Sequence, residues 1–155
     1  MAAINRDPDV IRYLNRPVDE QAVRAFFGLL LDHWDRHGFG FYAVESRAGD
    51  TAGQFIGFVG VAYPMFLPGL AERPELGWRL ARTAWGQGLA TEAATAARDD
   101  AFDRLGLEEL ISSIHPENAR SRRLAAKLGM SLEQQVYNPV LDRQVDVWHS
   151  APTRS

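Results

Sequence analysis

The segment with the clearest chemical signal is residues 85–91, Trp-Gly-Gln-Gly-Leu-Ala-Thr, which follows an apolar run at 76–80. A strand that leads through a glycine-containing loop into a helix directs several backbone N–H groups and the positive end of the helix dipole at one place. Such an arrangement is typical of a phosphate site, because glycine lets the backbone approach the phosphate oxygens. The spacing leaves one alternative open, a simple glycine turn at a helix start that Thr91 or a neighbour caps.

Two well-known nucleotide-binding motifs do not fit this loop. In a dinucleotide-binding fingerprint the third glycine would fall at Thr91, and about 60 residues follow it, too few for the second half of a doubly wound sheet. A Walker-type loop needs a Lys-Ser or Lys-Thr pair after the glycines, and none follows here. The loop therefore predicts a phosphate site of another kind.

Two further segments accompany the glycine loop. Residues 118–121 are Asn-Ala-Arg-Ser, in which Asn118 is a good helix N-cap, and residues 127–130 are Lys-Leu-Gly-Met. With residues 75–93, these segments in this order and spacing resemble the GCN5-related N-acetyltransferase (GNAT) superfamily, in particular its branch of ribosomal-protein-alanine-acetyltransferase-like (RimJ/RimL-like) proteins. The resemblance extends from about Ala2 to His149.

The resemblance implies a cosubstrate and a way of binding it. In the family, backbone amides of the glycine loop bind the pyrophosphate of acetyl-CoA, and the end of the preceding strand, here 80–82, pairs with the pantetheine arm. Asn118 would hydrogen-bond to that arm and Ser121 would lie near the thiol. Trp85 stands where the family usually has Gln or Arg, and because the contacts are made by the backbone we expect little loss of binding. The implied cofactor-binding residues are Leu80, Arg82, Trp85, Gly86, Gln87, Gly88, Leu89, Ala90, Thr91, Asn118 and Ser121.

Acetyl transfer to an amine needs a base and gains from an acid. An amine attacks a thioester only when it is neutral, so a base must take its proton, and the departing thiolate is stabilised by a proton donor. Glu75 matches a glutamate that some family members use as the base through water; a solvated carboxylate at a strand start is the alternative. Ser121 is the predicted donor, because RimL-like members use the serine of Asn-x-x-Ser, and Tyr137 is a second candidate.

The composition excludes other kinds of site. Seventeen Lys and Arg against 20 Asp and Glu give a net charge of −3, so we expect no attraction of the whole molecule to nucleic acid or anionic membranes. The chain has no cysteine, which excludes a thiolate-ligated zinc and a cysteine nucleophile. His33 and His37 have no carboxylate motif beside them, so no metal site is predicted.

A local basic cluster lies beside the proposed cofactor site. Such a cluster is either a solvated helix face or an electrostatic partner for the 3′-phosphate of CoA. Its members are Arg120, Arg122, Arg123 and Lys127.

The first half of the chain supplies a helix and a pair of strands. Apolar residues at helical spacing predict a helix over 18–38, with Asp19 as its cap and Gly38 as its end. Apolar runs at 41–44 and 55–61 predict two antiparallel strands. Glycines in the second run indicate a bulge or the close approach of another element.

The second half supplies the elements around the glycine loop. A strand at 76–80 precedes it, and an alanine-rich helix that ends near 105 follows it, with a face of small side chains that allows close packing on a sheet. A strand at 110–115, a helix ended by Gly129 and a terminal hairpin complete the order.

This order predicts one mixed α/β domain of GNAT type. We expect a central, mostly antiparallel twisted sheet with a splayed middle pair of strands and helices on both faces. The first strand usual in the family has no counterpart in this sequence, so the expectation is either a late start or a sheet without that edge strand. An exposed edge would favour a homodimer. The predicted domain spans residues 1–150, with 151–155 as a tail.

The predicted function is acetyl-CoA-dependent N-acetyl transfer to a primary amine, by direct attack in a ternary complex and without a metal. The acceptor is either a protein N-terminus or a small amine. The alternative is a non-enzymatic acyl-CoA-binding or regulatory module that keeps the cofactor loop. No run approaches about 18 apolar residues and the start has no secretory pattern, so we expect a cytoplasmic protein with no membrane or nucleic-acid partner.

Overall fold

A computed structural model describes residues 3–14, 19–47, 49 and 52–152 of the chain. Four helices and six strands occur in these residues, besides short 3-10 turns. The helices are α1 (Pro8–Ile11), α2 (Glu20–His37), α3 (Leu89–Asp103) and α4 (Ala119–Lys127). The strands are β1 (Phe41–Glu45), β2 (Phe55–Ala62), β3 (Glu75–Leu80), β4 (Leu110–Ile114), β5 (Ser131–Asn138) and β6 (Arg143–Ser150).

The six strands form one sheet in the order β1-β2-β3-β4-β6-β5. Every neighbouring pair is antiparallel except β3 and β4, which run parallel and are in register at a single pair, Glu75 with Ile111. The prediction of a mostly antiparallel sheet with a splayed middle pair is confirmed.

Helices cover both faces of this sheet. On one face the ring of Phe26 in α2 lies 6.1 Å from that of Phe58 in β2. The next residue of β2, Val59, points to the other face and belongs to the same core cluster as Ala94 and Ala101 of α3, both fully buried. The small side chains of α3 let it lie close to the sheet, as the alanine spacing predicts.

The second helix begins and ends where the sequence predicts. The side chain of Asp19 accepts a hydrogen bond from the amide of Ala22 at 2.7 Å. Gly38 ends the helix with a left-handed φ of 71°. The capping residue and the terminal glycine therefore suffice to determine where α2 begins and ends.

The glycines of β2 lie where other strands approach closely. A Cβ on Gly57 would stand 2.2 Å from the carbonyl oxygen of Arg79, and a Cβ on Gly60 would stand 2.3 Å from that of Gly40. Glycine is therefore required on both sides of β2, which confirms the interpretation that another element approaches this strand.

Two further observations concern the edge of the sheet and the length and polarity of the helices. Strand β1 is an outer strand, and the part of the chain described ahead of it holds only helices and a 3-10 turn. Among the described residues, no helix is both long enough and apolar enough to cross a membrane.

Candidate active site

The site lies where β3 and β4 separate. The amide of Ile111 donates to the carbonyl of Pro74 at 2.9 Å, just before β3 begins. Farther along, a side chain replaces the backbone ladder, because the hydroxyl of Ser112 donates to the carbonyl of Leu76 at 2.6 Å. The strands then diverge, and a cleft of about 1000 Å³ opens along them.

Glu75 lies at the start of this separation, half-buried in the wall of the cleft. Its Oε1 accepts a hydrogen bond from the amide of Ser113 at 3.1 Å and a second from the Ser113 hydroxyl. These two donors bridge β3 and β4 and fix the carboxylate at the point from which the cleft widens.

The glycine loop follows the C-terminal end of β3. The strand ends at Leu80, and Arg82 begins a 3-10 turn (Arg82–Ala84) rather than extending the strand. Gly86 and Gly88 follow with φ of 74° and 79°, a left-handed conformation that strains any residue with a Cβ. The loop therefore needs both glycines for its backbone.

The loop delivers the chain to the N-terminus of α3 without a capping side chain. Gly88 is the N-cap, and the first helical bond runs from the amide of Glu92 to the carbonyl of Gly88 at 3.0 Å. Within the described part of the chain, the amides of residues 89–91 have no helical or capping partner. The predicted alternative, a cap from Thr91, is absent among the described contacts. With the helix dipole, these amides form a site suited to an anion.

The side chain of Trp85 connects the glycine loop to the neighbouring strand and helix. Its indole N–H donates to the carbonyl of Leu80 at 3.0 Å, and the guanidinium carbon of Arg120 stands 4.3 Å from its ring centroid. The side chain that departs from the usual Gln or Arg thus ties the loop to both β3 and α4, a role that the sequence pattern did not reveal.

Helix α4 brings a second polar pair to the cleft. Asn118 is its N-cap, and its Oδ1 accepts a hydrogen bond from the amide of Ser121 at 3.1 Å. The indole N–H of Trp78 in β3 donates to the Ser121 hydroxyl oxygen at 3.2 Å. Because an indole only donates, this bond uses a lone pair of the oxygen and leaves the hydroxyl hydrogen for another group.

Most of the residues implied by the resemblance share the wall of this one cleft. Gln87 and Leu89 do not: the Gln87 side chain donates to the carbonyl of Thr83 at 2.7 Å, and Leu89 packs against the core. The residues of the implied set in the wall are Glu75, Leu80, Arg82, Trp85, Gly86, Gly88, Ala90, Thr91, Asn118 and Ser121.

Tyr137, the second candidate for the proton donor, lies outside this wall. It is 54% exposed and its hydroxyl donates to Asp142. That hydrogen bond raises the pKa of Tyr137. The tyrosine is therefore an exposed residue of the hairpin and is not among the residues that line the cleft.

The basic cluster divides between two sides of α4. Arg120, Arg123 and Lys127 recur at helical spacing and line the cleft. Arg122 turns away, where it pairs with the buried carboxylate of Asp146 at 3.4 Å and donates to the carbonyl of Pro116 at 3.2 Å. Three of the four predicted cations therefore face the site, and the fourth attaches α4 to β6.

His33 is a structural residue. Its Nδ1 lies 2.8 Å from the carbonyl oxygen of Phe39 and its Nε2 accepts from the amide of Tyr63 at 3.0 Å. Burial lowers the pKa of His33, and the hydrogen bond that its Nε2 accepts requires the neutral ring. The histidine anchors the start of the loop that follows β2 and lines the cleft. Among the described residues, no group of three or more His, Cys, Asp or Glu is arranged to hold a metal ion.

The wall of the cleft also contains residues that the sequence analysis did not single out. Asn138 is buried, and its amide donates to the carbonyl of Phe66 at 2.7 Å, which ties the loop after β2 to the terminal hairpin. Arg143 lies opposite Asn138 on the next strand. In the sequence Asn138 is followed by proline and is typical only of a turn.

Comparison with known proteins decides the family. The model of the acetyltransferase (GNAT) domain family matches residues 1–131. The chain belongs to the GNAT acetyltransferase family. The predicted superfamily and the predicted acyltransferase class are thereby confirmed.

Individual proteins are similar to this chain over most of its length. Over 127 residues it is 30% identical to the uncharacterized protein YkkB of Bacillus subtilis, covering 80% of this chain and 69% of that protein. Over 142 residues it is 28% identical to the FsC-acetyl coenzyme A-N(2)-transacetylase of Aspergillus fumigatus, covering 87% of this chain and 58% of that protein. The solved structure of an acetyltransferase from Agrobacterium tumefaciens is 28% identical, with a TM-score of 0.80 over 97% of this chain and 82% of that one.

Proposed function

We propose that this GNAT protein transfers an acetyl group from acetyl-CoA to a primary amine by direct attack in a ternary complex, with no metal in the reaction. The observation that carries the proposal is the uncapped N-terminus of α3 beside the cleft between β3 and β4. Residues 1–150 form the proposed acetyltransferase domain, and 151–155 the tail.

Acetyl-CoA matches the chemistry of this side of the cleft. Its pyrophosphate would accept hydrogen bonds from the amides that follow Gly88, and its 3′-phosphate would lie against Arg120, Arg123 and Lys127. The gap between the strands suits the pantetheine arm, whose amides would pair with strand backbone. The name of the Aspergillus relative, which contains acetyl coenzyme A, agrees with this donor.

Glu75 is the proposed base. An acceptor amine is protonated near neutral pH, so it must lose a proton before it attacks the thioester carbon. The carboxylate of Glu75 would take that proton through a water molecule while Ser113 holds it in place. The nitrogen then forms the new amide bond and the bond from carbon to sulfur breaks.

Ser121 is the proposed acid. The Trp78 indole fixes the hydroxyl oxygen, so the hydroxyl hydrogen is directed elsewhere, and a departing thiolate would take that proton while the serine oxygen regains one from water. Holding donor and acceptor in line supplies most of the acceleration, so loss of either group slows transfer without abolishing it.

The acceptor is proposed as a protein N-terminus, following the RimJ/RimL-like branch, or as a small amine. The segment Asn118-Ala119-Arg120-Ser121 supports the branch. The homodimer and the cytoplasmic location predicted from the sequence stay predictions.

The test of this function combines ligand binding with two substitutions. Thermal unfolding with acetyl-CoA, CoA and NAD⁺ should show a higher midpoint with the two CoA species only, since a ligand that binds the folded state raises the midpoint. Glu75→Gln should lower kcat by about a hundredfold and Ser121→Ala by about tenfold, within the range for general acid–base groups. The exposed Glu108 and Ser131, substituted in the same way, serve as controls. Unchanged transfer in both site variants would refute the assignment of roles.

A further inference from the structure

Arg143 stands in the cleft on the same face of the sheet as the proposed base. It begins β6, and alternation along the strand puts Arg143 and Val147 on one face. Val147 lies opposite Ser113 of β4, the residue that holds Glu75. Arg143 is also part of the cleft wall. Arg143 is carried by β6, whereas Arg120, Arg123 and Lys127 beside the cofactor loop are carried by α4.

The guanidinium of Arg143 lacks a counter-charge among the described residues. The side chain is half-buried, and its Nε is shielded from solvent without a hydrogen-bond partner there. Burial lowers the pKa of Arg143, and among the described residues no hydrogen bond or charge raises it again. By contrast, Arg73 is held by Glu109 at 2.6 Å and Glu133 at 2.8 Å. A buried cationic donor without an acceptor is costly unless a ligand supplies one.

The cross-strand neighbour of Arg143 does not offer it an acceptor, and none is found among the described residues. Asn138, its cross-strand partner, uses Oδ1 to accept from the amides of Val140 and Leu141 at 2.9 and 3.2 Å. Its amide nitrogen is taken by the carbonyl of Phe66. Apolar side chains of the loop after β2 and of the hairpin turn form much of the wall of the cleft beside Arg143. An anion that met Arg143 would therefore come from a molecule in the cleft.

We propose that Arg143 binds a carboxylate of the acceptor, so that the substrate is an amine that also carries a carboxylate, such as a free amino acid. This inference rests on the proposed function and narrows its acceptor. The planar guanidinium donates two parallel hydrogen bonds to a carboxylate, a geometry that lysine cannot reproduce. Arg12 and Arg79 also line the cleft, where cationic side chains outnumber the carboxylates of Asp9, Glu75 and Glu117, so a carboxylate-bearing acceptor is favoured over a polyamine.

The experiment uses matched amines and matched variants. The acceptors are L-phenylalanine, L-phenylalaninamide, 2-phenylethylamine and spermidine, with transfer followed by the CoA thiol released. Because the chain has no cysteine, a thiol reagent reports CoA alone. The variants are Arg143→Gln and Arg143→Lys, and the control is Arg36→Gln, an exposed arginine of α2 outside the cleft.

The expected result is a selective change. Arg143→Gln should lower kcat/KM for phenylalanine by about tenfold or more, mainly through KM, and leave the amide and phenylethylamine within about threefold. Arg143→Lys should recover part of the loss, and Arg36→Gln should change nothing. For each acceptor, kcat/KM of the variant is compared with kcat/KM of wild type. Acceptors are not compared directly with one another, because replacing the carboxylate by a carboxamide also alters the basicity of the acceptor amine. Equal loss for acid and amide would overturn the inference.

A binding arm covers the case in which wild type acetylates none of these amines. With CoA present, calorimetry compares N-acetyl-L-phenylalanine with its carboxamide. Preference for the acid in wild type that disappears in Arg143→Gln supports the inference, and its absence overturns it. Failure of acetyl-CoA itself to bind would instead count against the proposed function, so the two failures are distinguishable.

Discussion

Gly88→Ala separates the folding role of the glycine loop from its binding role. Gly88 has a φ of 79°, and an added Cβ meets nothing within 4 Å. The cost in the unliganded protein is therefore conformational rather than steric, about 1–2 kcal/mol for a left-handed alanine. For a chain of this size such a loss lowers the unfolding midpoint by about 2–8 °C.

The open space beside Gly88 is where the pyrophosphate is proposed to lie. A methyl group there, or a loop that relaxes away from the left-handed conformation, would hold the amides of α3 back from the phosphate oxygens. We expect acetyl-CoA to bind about tenfold more weakly, which corresponds to about 1.4 kcal/mol.

Gly106 provides a matched control. It follows the end of α3 with a φ of 66°, a Cβ on it likewise meets nothing within 4 Å, and it is not part of the cleft wall. Gly106→Ala should therefore cost about the same stability as Gly88→Ala, again about 1–2 kcal/mol, without affecting the cofactor.

The assay is thermal unfolding of wild type and both variants at one acetyl-CoA concentration. At 100 times the wild-type Kd the ligand stabilises the fold by about 2.7 kcal/mol, and a tenfold weaker complex by about 1.4 kcal/mol. The ligand-induced rise in midpoint should thus fall by about half in Gly88→Ala and stay intact in Gly106→Ala. The same rise in all three proteins would refute the assignment of the phosphate site to this loop.

Two further predictions concern side chains outside the reaction itself. Because burial lowers the pKa of His33, the unfolded chain binds a proton that the folded chain does not, so stability should fall as pH drops through about 6.5 and below. Urea titrations between pH 7.5 and 5.5 should show a shallower pH dependence in His33→Gln; parallel curves would contradict this account. Trp85→Phe removes the hydrogen bond to Leu80 and should cost about 0.5–1.5 kcal/mol, while the ring beneath Arg120 remains. Calorimetric unfolding measures that cost, and an unaltered free energy would argue against the bond.

Local patterns predicted the parts of this fold that depend on neighbours in sequence. Asp19 and Gly38 bound α2 because a cap and a left-handed end are decided within one turn of helix. The alanines of α3 indicate a close-packed face because only spacing matters there. The glycines of β2 likewise indicate tight approach, since no side chain fits between its neighbours.

Contacts distant in sequence could not be predicted in the same way. The bond from Asn138 to Phe66 joins residues 72 positions apart, and nothing near either residue signals it. Arg122 is indistinguishable from Arg120 in sequence, yet it turns toward Asp146 because the packing of α4 on the sheet puts it on the opposite side. The strand ends at Leu80, as the apolar run at 76–80 predicted, whereas the end implied by the resemblance reached Arg82, which begins a 3-10 turn.

Strands β3 and β4 are in register at a single pair, which divides the sheet into two three-stranded wings joined mainly by contacts near that pair. An ordinary sheet satisfies its own backbone and has little hydrogen-bonding capacity left at its centre. Between β3 and β4 the backbone hydrogen bonding is incomplete. An extended molecule that carries amide groups would therefore pair with the strand backbone like a seventh strand and join the two wings. While it is bound, that molecule would complete the hydrogen bonding between β3 and β4. When it leaves, the backbone groups it had paired with would be exposed to solvent again.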